Sequence, residues 1–149
     1  MELILQQGLP HQQKAIDAVC GALDGVTITP PMQFYENPQI DLADRKLFAN
    51  LRALQNSVPA EYRSSSPIGT CLNLDIKMET GTGKTYVYTK TIFELHKRYG
   101  INKFIIAVPS LAIKAGTAQF MQDEYSRRHF TDGCGYATEI ELGVLEAPK

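Results

Sequence analysis

One stretch limits the possible folds of this chain more than any other: Leu72 to Thr85, where an alternating apolar run leads into a double-glycine turn and then a helix. Leu72, Leu74, Ile76 and Met78 alternate with Asn73, Asp75 and Lys77, which is the two-residue period of a strand. Met78-Glu79-Thr80-Gly81-Thr82-Gly83-Lys84-Thr85 follows, and beyond it Tyr88, Ile92, Leu95 and Tyr99 fall at helical spacing. Lys97 and Arg98 suit the negative end of that helix, and Gly100 supplies its stop. Strand, glycine turn and helix in this order are the parts of a phosphate-binding loop. Glycines let successive backbone N–H groups turn toward one anion, and the helix presents its positive end to the same place. Lys84 adds a point charge for the β- and γ-phosphates, and the Thr85 hydroxyl is a ligand for Mg²⁺. The general pattern G-x-x-x-x-G-K-[ST] asks for glycine where this chain has Met78.

The surrounding pattern predicts an α/β fold. Phe104-Ile105-Ile106-Ala107-Val108 is continuously apolar, as in a strand covered on both faces of a parallel sheet, so 72–108 reads as a right-handed βαβ unit. Ser110 caps a further helix, interrupted at Gly116 and reaching about His129, and Glu139 to Val144 forms another strand. Upstream, Ala15, Ile16, Val19, Ala22 and Leu23 define a helix from Pro10 to Leu23, stopped by Gly25. Residues 24–70 differ in character. Pro30-Pro31, Asn37-Pro38, Pro59 and the Ser64-Ser65-Ser66-Pro67 run punctuate them, and only Leu47, Leu51, Leu54 and Val58 mark a helix near Asp41 to Asn56. The segment reads as a surface insertion, with the serine run a mobile connector.

Charge and cysteine usage narrow the function classes. With 15 basic and 16 acidic side chains among 149 residues, no basic surface draws nucleic acid or anionic membrane, so any polyanion must be held by local geometry. Cys20, Cys71 and Cys134 lie far apart, with no paired metal-ligand spacing, and read as reduced thiols. The start Met-Glu-Leu-Ile-Leu-Gln-Gln lacks a basic leader, and no stretch is long and apolar enough to span a membrane. A soluble, cytoplasmic protein is expected. Asp123-Glu124 follows no apolar strand and reads as a solvated helix face, as does Arg127-Arg128-His129. His11, His96 and His129 form no nucleophilic set by spacing.

Met78 to Tyr86, preceded by Leu74-Asp75-Ile76-Lys77 and followed by Phe104 to Ser110, resembles the N-terminal part of the Res subunit of type III restriction endonucleases, among the superfamily 2 helicase-like ATPases. The helicase form of the loop tolerates residues other than glycine at its first position, which accommodates Met78. The likeness is densest over 75–117 and looser over 9–23 and toward the C-terminus. It implies a partial RecA-like P-loop NTPase domain over 1–149, with a parallel sheet core and the 24–70 insertion within it. ATP and Mg²⁺ are the implied cofactors, held by Thr80, Gly81, Thr82, Gly83, Lys84 and Thr85, with Lys84 the catalytic cation.

Pro10-His11-Gln12-Gln13-Lys14-Ala15-Ile16 looks like the glutamine motif of such motors, with Gln12 the better match for reading the adenine edge; two glutamines exposed at a helix start are the competing reading. Pro109-Ser110-Leu111 resembles the motif that touches nucleic-acid phosphates, while Ser110 alone serves equally as a helix cap. The implied partners are double-stranded DNA and a modification methyltransferase subunit. Missing from the chain are an acidic motif on a strand, a second lobe with an arginine finger and a nuclease carboxylate cluster, so an N-terminal fragment of a larger polypeptide is expected. Another superfamily 2 DNA helicase or repair translocase, and a nucleotide-binding fragment without motor activity, are the alternatives.

Overall fold

A computed structural model describes residues 5, 7–63 and 70–145. Helix α1, Pro10–Gly21, opens with proline in its first turn, where a missing N–H costs nothing and the fixed φ already fits a helix. A short antiparallel pair follows, β1 (Ile28–Thr29) and β2 (Gln39–Ile40), with Ile28 opposite Ile40. Asp44 then caps α2, Arg45–Asn56, accepting from Lys46 N at 2.7 Å and also from Thr27 N at 2.7 Å. Those hydrogen bonds from Thr27 and Lys46 hold the Asp44 carboxyl below its usual range. The long helix α3, Lys84–Tyr99, ends on Gly100 in the left-handed region. Helix α4, Leu111–Gln122, is capped by Ser110, and α5, Glu124–Arg128, by Asp123, with a π-helical turn over His129–Gly133.

The architecture is organised around α3, which is buried on two sides. On one side Val87 meets Ala15, Ile16 and Cys20 of α1, with Met78, Leu95 and Tyr99 packed around them. On the other, Tyr86 and Phe93 join Phe130 and Tyr136; Phe93 stacks on both, at 5.1 and 4.8 Å between ring centroids. A third cluster, Leu23, Val26 and Leu47, draws in Ile40, Leu51, Leu72 and Ile101. Residues 24–51 are therefore anchored, and Asn37 ties them to the chain after α3: its Oδ1 accepts from Asn102 N and Lys103 N, and its Nδ2 donates to Lys103 O, each at 2.8 Å. The serine run over 64–66 lies outside the described residues.

Several expectations are corrected. The apolar face of α3 is wider than the stripe of Tyr88, Ile92, Leu95 and Tyr99: those residues are half-buried, while Tyr86, Val87, Thr89, Thr91 and Phe93 are the buried ones. Gly116 does not interrupt α4; the break falls at Asp123, whose extended backbone ends one helix and whose carboxylate starts the next. No parallel sheet core forms among the described residues, where β1 and β2 are the sole ladder. The expected strands at Leu72–Met78, Phe104–Val108 and Glu139–Val144 carry no ladder hydrogen bonds. Parallel pairing has no local turn to enforce it and needs neighbours brought from far along the chain. Here the second and third stretches instead border an open cleft of about 740 Å³, lined by Ile92, Phe93, Phe104, Ile106 and Ile140. Phe104–Val108 is covered on one face only, since Ile105 is 94% exposed while Phe104, Ile106 and Val108 are half-buried. Among the described residues no helix is long and apolar enough to cross a membrane.

Candidate functional site

The glycine turn sits at the head of α3, and its geometry follows from two residues. Gly81 and Gly83 have φ of 82° and 86°, a region closed to most side chains, so the chain reverses between them and enters α3 at Lys84. Gly83 is the N-cap and supplies no side-chain hydrogen bond, leaving the first-turn N–H groups of α3 without the usual cap. A helix end of this kind stabilises negative charge. Within the turn, the Glu79 carbonyl accepts from Thr82 Oγ1 at 2.7 Å and from Lys84 Nζ at 2.9 Å. Thr80, Gly81 and Lys84 are exposed, and Thr85 is half-buried on the first turn of the helix.

The start of α1 closes on this turn from 70 residues away. Gln12 is buried, and its Nε2 donates to Thr82 O at 3.0 Å. His11 Nε2 lies 3.2 Å from the same oxygen. The contact is close enough that a Cβ on Gly83 would stand 2.4 Å from Gln12 Nε2. Gln12 Oε1 is closed to solvent and has no partner among the described residues, a situation that costs about 1–3 kcal/mol unless a donor arrives. Gln13 faces elsewhere: its Nε2 donates to Asp17 at 2.9 Å and its Oε1 accepts from Lys90 at 3.4 Å. Of the two glutamines, Gln12 is the one hydrogen-bonded to the glycine turn.

The structure does not bring every expected residue together. Pro109 and Ser110 are exposed, and Ser110 Oγ accepts from Ile113 N at 3.3 Å as a helix cap. Glu124 and Arg128 pair within α5, Arg127 pairs with Glu139, and His129 Nε2 lies 3.2 Å from Tyr86 Oη. Burial, helped by the charge of Lys90, pushes the His129 pKa down. Sequence reading missed His11, which carried no recognisable pattern of its own; the available signal was its place beside Gln12 in the first turn of α1.

An uncapped helix behind a double-glycine turn, followed by lysine and threonine and closed by a buried glutamine, is the arrangement of a helicase-like P-loop protein. Residues 7–140 match the family described as type III restriction enzyme, res subunit. The chain belongs to this family of Res subunits. It is 38% identical, over 97% of its own length, to the EcoPI Res subunit of the type III restriction-modification enzyme of Escherichia phage P1. The EcoP15I Res subunit of Escherichia coli and the StyLTI Res subunit of Salmonella typhimurium are also 38% identical over 97% of the chain. The chain spans 15% of the length of the first two relatives and 12% of the third.

Proposed function

We propose that the chain forms the nucleotide-gripping part of an ATP-dependent restriction subunit, which acts in the cytoplasm on double-stranded DNA together with a modification methyltransferase subunit. The observation that carries this reading is the uncapped head of α3 behind the Gly81–Thr85 turn, with Gln12 packed against it. ATP with Mg²⁺ would supply the phosphoryl group whose transfer to water powers the subunit.

The chain's own residues divide the work of holding that nucleotide. Thr80, Gly81, Thr82 and Gly83 shape a turn whose backbone N–H groups cradle phosphate oxygens. Lys84 Nζ, resting on the Glu79 carbonyl, lies on an exposed flexible stem and swings to an anion. The Thr85 hydroxyl, on the first turn of α3, is the candidate magnesium ligand. Gln12 uses one of its two amide N–H donors on Thr82 O, and the atom that lacks a partner, and so is offered to the base, is the acceptor Oε1. An acceptor there suits the exocyclic amine of adenine and disfavours a carbonyl at that ring position; the base must displace the side chains that now cover it. Pro109 and Ser110 present exposed backbone at the head of α4 to a DNA phosphate, and residues 24–70 are an insertion within the nucleotide-binding domain.

Calorimetry of the chain with Mg-ATP tests this. Binding is expected, weakened roughly tenfold or more in Lys84→Ala through loss of a charge-assisted contact. Equal affinity in the two proteins would overturn the assignment.

A further inference from the structure

A carbonyl in an anion-binding turn is a liability, because its negative end repels the phosphate that neighbouring N–H groups attract. The Thr82 carbonyl is the one most exposed to this problem, since it lies between the two left-handed glycines, where the backbone is freest to turn over. Both of its lone pairs are engaged by α1. Gln12 Nε2 stands at 3.0 Å and His11 Nε2 at 3.2 Å, and both donors come from the first turn of one helix. The peptide bonds are trans, so the Thr82 C=O and the Gly83 N–H share a plane and point in opposite directions. Pinning the oxygen toward α1 therefore aims the Gly83 N–H to the far side.

We propose that His11 is a positioning residue, which with Gln12 clamps the Thr82–Gly83 peptide in the orientation that offers its N–H to a nucleotide phosphate; the inference rests on the phosphate-site reading above. His11 serves this role as the tautomer, or the cation, that carries a proton on Nε2. Its side chain belongs to an exposed residue, so removing the donor leaves the cores around α3 intact. Gln12, by contrast, is buried, and its replacement would disturb packing as well as orientation.

The test compares Mg-ATP affinity by calorimetry in the wild-type chain and in His11→Phe, His11→Gln, His11→Asn and Lys84→Ala, with melting temperatures taken without nucleotide. His11→Phe keeps a ring and loses the donor, and a fall of about fivefold in affinity is expected with an unchanged melting temperature. His11→Gln restores a donor at the same reach and should recover most of the loss, whereas the shorter amide of His11→Asn should not. If His11→Phe does not fold, the contrast between Gln and Asn carries the comparison alone. Wild-type affinity in His11→Phe or His11→Asn, with Lys84→Ala weakened, would overturn the clamp and leave the phosphate site standing. Unchanged affinity in Lys84→Ala as well would remove the site itself.

Discussion

Gly81 and Gly83 look equivalent in the sequence and differ in what surrounds them. Both need the left-handed region, but a Cβ on Gly81 meets nothing within 4 Å, whereas one on Gly83 would push into Gln12 Nε2. Gly81→Ala should therefore lose only the conformational cost, about 1–2 kcal/mol. Gly83→Ala should lose more, because the Gln12 contact must also yield. Urea denaturation of the two variants checks this, and equal losses would show that Gln12 withdraws freely. The residue identities of the turn and of Gln12 were legible in the sequence, since glycine spacing and the Lys-Thr pair have few other uses. His11 was not legible, because its role depends on which carbonyl the fold carries beneath it.

At the scale of elements, the helices were easier to read than their faces. Pro10, Ser110 and Gly100 mark helix ends through chemistry confined to one turn, and each stands where expected. The buried faces of α3 were harder, because a central helix has no single stripe: Tyr86 and Val87 are adjacent in sequence and enter different cores. That second core has an electrostatic edge. Burial pushes the Glu94 carboxyl up, but hydrogen bonds from Tyr136 Oη and Arg98 Nε, with the charges of Arg98 and Lys97, outweigh it and leave the pKa lowered from 4.5. A carboxyl lowered on folding adds stability above its unfolded value and loses it as pH falls through the folded one. Stability should thus decline below about pH 4.5, and Glu94→Gln should flatten the decline in urea midpoints measured from pH 7 to pH 3. An unchanged acid slope in the variant would exclude Glu94 as a contributor.

For the molecule as a whole, the apolar runs that read as strands form no strand among the described residues. The continuously apolar run Phe104–Val108, expected to be covered on both faces, is half-buried on one face alone, and ladder bonds depend on neighbours that local sequence does not specify. Amide exchange should expose the difference: N–H groups over 104–108 and 139–144 should exchange far faster than those in the interior of α3, which are bonded within a helix packed on both sides. Comparable protection would mean a sheet forms in solution. The junction of α1 with the glycine turn depends on contacts 70 and 71 residues apart, and the entropy of closing such a loop grows only logarithmically. Doubling the chain between the two halves would cost only about 0.6 kcal/mol more. An insertion into the intervening segment, away from Asn37 and Leu47, should therefore leave the two halves able to meet.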